Sequence, residues 1–399
     1  MSDRPRLEAE FEAGRLVRPS ADVPNVVDLA RALANLAGAE GVPETDVSRK
    51  LAGLVGPADH LVLVVADGFG ASFVEGMADG AFSRDHLATE LLTVFPSATD
   101  SALTSLATGE WPAQHAGLGW YLYLEEIGAV STILPFIRRS DAVSLTKLGV
   151  SPEQAFPTPP LLRLVRRGCI SLLPVEISGS VYSRYQAGGH PTVGYKTLAE
   201  AVDLVLERTT SRLPTFTYLY WNRIDAAAHE LGTGHTTVAA LVDELDGELH
   251  RLAAHLPDRA TVAVTADHGL LDADDGESHW IVPGDGLDSL LRREPSGDTR
   301  EAYFAVADGA TEEFARAFRQ RLGDRFVLLT TFETEDLGLF GPDPLSDVSR
   351  ERLGDFVALS LGRDVIRYRW SDRPEAVKRY RSHHSGLSPV EMRVPLLVF

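Results

Sequence analysis

Leu61-Val62-Leu63-Val64-Val65-Ala66-Asp67-Gly68-Phe69-Gly70 carries six apolar residues straight into an acid and two glycines. A continuous apolar run of this length reads as a strand buried on both faces, the central strand of a mostly parallel sheet. Asp67 then stands just past the strand's carboxyl end, where open α/β sheets place their ligands. The glycines make a tight turn into a helix expected near 71–78.

Working outward, several segments repeat this pattern of a strand followed by a chemically able residue. Leu91 to Phe95 reads as a strand and leads to Pro96-Ser97-Ala98-Thr99-Asp100-Ser101. Ala102 to Thr108 reads as a short helix, with Gly109 just past its end. Thr215 to Trp221 is a strand running into Asn222-Arg223-Ile224-Asp225 and, four residues on, His229. Thr261 to Thr265 is a strand followed by Ala266-Asp267-His268-Gly269. Near the end, Ser382-His383-His384-Ser385-Gly386-Leu387-Ser388-Pro389 precedes a last strand, Val394 to Phe399.

Between these lie the remaining elements. Residues 1–22 are polar and mixed, an arm expected to pack over the surface. Val26 to Leu36, Lys196 to Glu207 and Thr236 to Leu256 have helical periodicity. Residues 168–173 read as a strand and Ser178 to Gly194 as a loop. Trp120 to Phe136 is aromatic and aliphatic, suited to a pocket wall or to ordinary packing. From about 280 to 378 charged turns separate a strand–helix–strand pattern, Ala302 to Ala307, Thr311 to Leu322 and Phe326 to Thr330. This reads as an inserted α+β cap. The expected division is therefore an arm over 1–22, a core over 23–279 and 379–399, and a cap over 280–378.

The totals exclude several classes. The 399 residues carry 57 acidic and 38 basic side chains, a net charge of −19. That balance argues against binding a nucleic-acid polymer, whose phosphates need basic patches. It leaves phosphoester substrates open, because bound divalent cations invert the local field. The lone Cys169, set in an apolar run, reads as a buried structural thiol and excludes an internal disulfide framework. No run approaches the ~18–20 apolar residues of a membrane span, and residues 1–8 lack a signal-peptide core. A cytoplasmic protein without membrane contact is expected.

The ligand types are Asp67, Thr99, Asp225 with His229, Asp267 with His268, and His384. Carboxylates and imidazoles together suit a borderline divalent ion, zinc first, with manganese or iron as alternatives. Asp225 and His229, four apart, share one face of a helical turn. Taken singly each has a plain reading: Asp-Gly as a turn, Asp225 and His229 as a helix-surface pair, Thr99 as an N-cap. Taken together, mostly at strand ends, they suggest one site with two metal ions about 4 Å apart, suited to displacement at phosphorus. His115 and His235 have a weaker claim, and a structural role is expected for each.

These segments, in this order, resemble the nucleotide pyrophosphatase/phosphodiesterase branch of the alkaline phosphatase superfamily. The likeness rests on Asp67-Gly68-Phe69, Phe95 to Thr99 through Thr108-Gly109 to His115, Asp225 to His229, Asp267-His268-Gly269 and His384 to Pro389, and spans 61–399. It implies an alkaline-phosphatase-like core. It implies that Asp225, His229 and His384 hold one zinc, and that Asp67, Thr99, Asp267 and His268 hold the other. It also implies a covalent phospho-threonine intermediate. In that superfamily the nucleophile stands ten residues before the glycine of the Thr-Gly pair. Counted back from Gly109 this is Thr99, with Ser101 second. The function expected is hydrolysis of a small-molecule phosphodiester or pyrophosphate. A phosphomonoesterase or a phosphonoacetate-hydrolase-like enzyme is the alternative, and a non-catalytic metal-binding relative is the alternative of another class.

Overall fold

In the computed structural model, which describes residues 2–369 and 380–399, the run His60–Ala66 is a strand buried at every position. It lies fourth in a seven-stranded sheet ordered Leu87–Leu92, Arg393–Val398, Ala260–Thr265, His60–Ala66, Thr215–Trp221, Gly168–Pro174, Thr192–Tyr195. Only Arg393–Val398 runs against the others, pairing antiparallel with both of its neighbours. The continuous apolar runs belong to the inner strands, which are covered on both faces.

The register of the three central strands positions the site. Ala66 pairs with Trp221, and Val65 with Thr265. All three strands therefore end at one level, and the chains bearing Asp67, Asp225 and Asp267 leave the sheet side by side at its carboxyl edge. The Asp67 N–H donates to the carbonyl of Trp221 at 2.8 Å and ties two of these exits together.

Helices flank the sheet. Val26–Leu36 packs on Asp46–Val55 and on Thr99–Thr108, and Leu198–Thr209 packs on Thr236–His255. Among the described residues no helix is long and apolar enough to cross a membrane.

A second sheet of seven strands is antiparallel throughout. Its order is Phe326–Thr330, Phe356–Ser360, Glu301–Phe304, Ser296–Gly297, Tyr121–Leu124, Ala129–Thr132, Ile137–Arg138. Four of its strands come from the 280–378 region and three from 121–138. Helix Thr311–Leu322 buries Phe314 and Phe318 against Phe304, Phe326 and Phe356 to make a smaller core. The last part of the expected insertion, 370–378, lies outside the described residues.

Several local expectations are corrected. The strand expected over 91–95 is Leu87–Leu92, because the edge strand pairs with Arg393–Val398 over that stretch before the chain turns away. The loop expected over 178–194 contains helix Val181–Gln186, capped by the Ser180 side chain, and the start of edge strand Thr192–Tyr195. The polar arm is helical over Arg4–Glu12. Its Leu7 is fully buried, and the carboxylate of Asp3 accepts from the N–H of Leu328 and from Arg319. Helix 99–108 starts three residues before the expected Ala102, which makes Thr99 its first residue and Ala98 its N-cap.

Candidate active site

The carboxyl edge of the sheet gathers all seven candidate side chains. Gly68, at φ +73°, turns the chain immediately after Asp67; a Cβ there would lie 3.0 Å from that of Asp225. A Cβ on Gly70 would stand 2.6 Å from the Cα of Gly269, and a Cβ on Gly269 would stand 1.9 Å from the Val390 carbonyl oxygen. Gly70 is thus required by the contact between the two Asp-containing turns, and Gly269 by its contact with Val390.

The protein holds the carboxylates of Asp67 and Asp267 by one oxygen each and leaves the other oxygen without a hydrogen bond. The Tyr220 hydroxyl donates to Asp67 Oδ2. The N–H groups of Gly68 and His268 donate to Asp267 Oδ1 at 3.1 and 3.0 Å. Asp67 Oδ1, Asp267 Oδ2 and Asp225 Oδ1 are buried without a hydrogen-bond partner. Three such oxygens in one place are costly unless a cation compensates them.

The histidines are prepared in the same sense. Nδ1 of His229, His268 and His384 lies 2.6, 3.1 and 3.2 Å from the carbonyls of Ser382, Gly269 and Ser97. A carbonyl only accepts, so each Nδ1 carries the proton and each Nε2 offers a lone pair. His229 Nε2 stands 3.2 Å from Asp225 Oδ1. His268 Nε2 stands 3.5 Å from Asp67 Oδ1 and 3.6 Å from Asp267 Oδ2. Lone pair facing lone pair at these distances is the arrangement of a cation site. Asp225, His268 and His384 offer one set of ligand atoms within 4.8 Å of one another, and Asp67, Asp267 and His268 a second; His268 stands between them. His229 reaches the first set through Asp225. The donor set fits divalent metal ions.

Charge tells the same story. Burial, then Asp267 and Asp225, holds the carboxyl of Asp67 well above the usual carboxylate range. Burial likewise raises Asp267. Burial, then His268 and His229, pushes His384 well below the ordinary imidazole value, so it is neutral and able to bind a metal.

Thr99 Oγ1 lies 3.1 Å from His268 Nε2, at the N-terminus of its helix. Ala98 takes the cap position, and no side chain caps the helix, so the plain capping reading of Thr99 does not hold. Ser101 is fully buried, and its hydroxyl donates to Asp100 Oδ1 at 3.3 Å, away from the ligand atoms. His383 is bound elsewhere, its Nδ1 3.0 Å from the Thr299 hydroxyl. His115 accepts the Gly117 N–H at Nδ1 and donates from Nε2 to Ser105, and burial drives its pKa down to about 3. His235 caps helix Thr236–His255. Neither of these two reaches the site.

Thr99, Asp225, His229 and His384 open onto a cavity of about 610 Å³. Tyr121, Arg139, Asp298, Arg367, Tyr368 and Tyr380 also line it; Tyr121 falls in the stretch expected as a pocket wall, and sequence reasoning missed the others. Tyr121 and Thr132 face the cavity while Leu122 and Val130 are core, so 120–136 is both pocket wall and packing. Tyr220 was also missed, although its place one residue before the end of a buried strand put it beside Asp67.

An alkaline-phosphatase-type sheet with a carboxylate and imidazole centre at its carboxyl edge defines a class of metal-dependent phosphoryl-transfer hydrolases. Residues 177–385 match the family model of type I phosphodiesterase / nucleotide pyrophosphatase, and the chain belongs to that family. Comparison with curated protein sequences finds no match. The fold is shared with murine ectonucleotide pyrophosphatase / phosphodiesterase 5, at TM-score 0.63 and 14% identity, over 84% of this chain and 87% of that one. The human counterpart gives TM-score 0.62 and 16% identity over 85% and 87%. Phosphonoacetate hydrolase from Sinorhizobium meliloti 1021, solved with phosphonoformate, gives 0.63 and 18% over 86% and 90%.

Proposed function

We propose that this protein hydrolyses a small-molecule phosphodiester or pyrophosphate with Thr99 as nucleophile and two divalent metal ions, zinc in the first place. Asp225, His229 and His384 would hold one ion. Asp67, Asp267 and His268, with the Thr99 hydroxyl, would hold the other. The observation that carries this reading is the convergence of three unpartnered buried carboxylate oxygens and three Nε2 lone pairs beside Thr99 Oγ1.

The ions would supply the positive charge that lowers the hydroxyl's pKa and offsets charge on the phosphoryl oxygens. This chain's own residues do the rest. Thr99 Oγ1 bonds to phosphorus as the leaving oxygen departs, and water then cleaves the Thr99 phosphoester. Thr99 opens helix Thr99–Thr108, whose N-terminal end would favour phosphoryl oxygens beside the nucleophile. The cavity of about 610 Å³ has room for both halves of a diester. An inactive variant of the mouse protein was solved with AMP, which supports a small phosphate compound as the ligand class.

The test is turnover of bis-p-nitrophenyl phosphate and p-nitrophenyl phosphate by zinc-loaded and chelator-treated protein. Metal-dependent turnover with preference for the diester is expected. Preference for the monoester would move the assignment to a phosphatase. Absence of turnover with both metals bound would make the chain a non-catalytic relative.

A further inference from the structure

The cavity onto which Thr99 opens is also lined by two buried guanidinium groups, Arg139 and Arg367. They come from far-apart stretches of sequence: Arg139 directly follows strand Ile137–Arg138, and Arg367 lies in strand Val365–Tyr368. Burying a guanidinium is costly and is accepted where charge or ligand chemistry needs it. Here two of them meet at one cavity in a chain of net charge −19.

Both are held in place. Arg139 lies over the Tyr121 and Tyr368 rings, 5.1 Å from each centroid, and pairs with the half-exposed Glu294 at 2.6 Å. Arg367 Nη2 lies 3.3 Å from His383 Nε2, one residue along the chain from His384. The same cavity therefore runs from the nucleophile to a pair of rigid, planar, multi-donor cations. A guanidinium matches the geometry of a carboxylate or phosphate and makes bidentate contacts to it. Asp298, a carboxyl on the same cavity, accepts the N–H of Thr299 at 2.7 Å and so has a structural use of its own.

We infer that Arg139 and Arg367 form a subsite for a second anionic group, phosphate or carboxylate, carried by the same substrate molecule whose phosphoryl group meets Thr99. This rests on the hydrolase reading above and narrows its substrate class: a compound with a lone phosphodiester and otherwise neutral substituents would use only half of the cavity.

The experiment is calorimetric binding to the zinc-loaded protein. The probes are methylphosphonate, a series of alkane bisphosphonates from methylene to butylene, and the matching phosphonocarboxylates. Wild type is expected to bind at least one two-anion probe about tenfold or more tightly than methylphosphonate. Whether the bisphosphonate or the phosphonocarboxylate arm wins identifies the second anion. Arg367→Met and Arg139→Met should remove that advantage while leaving methylphosphonate within about threefold, and Arg367→Lys should keep part of it. Circular-dichroism melts screen the variants for folding, and the lysine variant keeps the test decisive should a methionine variant fail. Two-anion probes that bind no better than methylphosphonate would overturn the subsite. So would variants that weaken every probe equally. Turnover of bis-p-nitrophenyl phosphate reports separately on the hydrolase reading: an inactive wild type that still shows the arginine-dependent advantage would keep the subsite and lose the hydrolase.

Discussion

Thr99 is the residue at which helix, sheet and ligands meet. Its hydroxyl is within 3.1 Å of His268, whereas the hydroxyl of Ser101, two residues on, is fully buried beside Asp100. The account therefore predicts that Thr99→Ala lowers kcat on the order of 10⁴-fold or more with little change in melting temperature. Ser101→Ala should stay within about fivefold. A dead Ser101→Ala beside an active Thr99→Ala, read in the same assay, would reverse the assignment. At this scale most of the candidate site, as a gathering of side chains, was legible beforehand, for a physical reason. Asp67, Asp267 and their glycines are packed so tightly that Gly269 has no room for a Cβ, and such a constraint leaves a local sequence pattern. Arg139 and Arg367 left none. They are single residues far apart in sequence, and only the tertiary fold brings them to one cavity.

At the scale of elements, the loop bearing His384 is fastened by a buried ion pair. Arg300 Nε donates to Glu391 Oε1 at 2.7 Å and Nη2 to Oε2 at 3.1 Å, and both side chains are fully buried. The same carboxylate accepts the N–H groups of Gly386 and Ser388. Removing one partner strands a buried charge, so Arg300→Met should cost about 3–5 kcal/mol in urea denaturation, and an Arg300→Met/Glu391→Met double variant should recover part of it. An unchanged midpoint would show that the pair holds nothing. Strand Gly168–Pro174 offers a check of another kind. Burial pushes the Cys169 thiol from its usual 9 up to about 11, so less thiolate exists at every pH below that. Native protein at pH 8 should react with a thiol reagent about a hundredfold more slowly than urea-unfolded protein, and the native rate should still be rising above pH 9. Equal rates in both states would refute the burial of this thiol. The inner strands were readable because full burial makes them continuous apolar runs. The second sheet was not, because short strands such as Tyr121–Leu124 and Ser296–Gly297 pair across a long stretch of sequence, and that register is set by tertiary contact.

At the scale of the whole molecule, the proposed function has an acidic chain handle an anionic substrate class. The net charge of −19 opposes phosphate everywhere except where the fold concentrates cations or arginines. Two sheets provide the two ends of that place. The parallel sheet presents the carboxylates and imidazoles at its carboxyl edge, and the antiparallel sheet contributes Tyr121 and Ala302 to the lining of the cavity. The claim on which all of this depends is that the seven side chains hold two divalent ions. Zinc stoichiometry by equilibrium dialysis with elemental analysis tests it most directly. The account predicts two zinc ions per wild-type chain and one per chain once Asp225 and His229 are both replaced by alanine. Fewer than one ion on wild type, or two on the double variant, would contradict it.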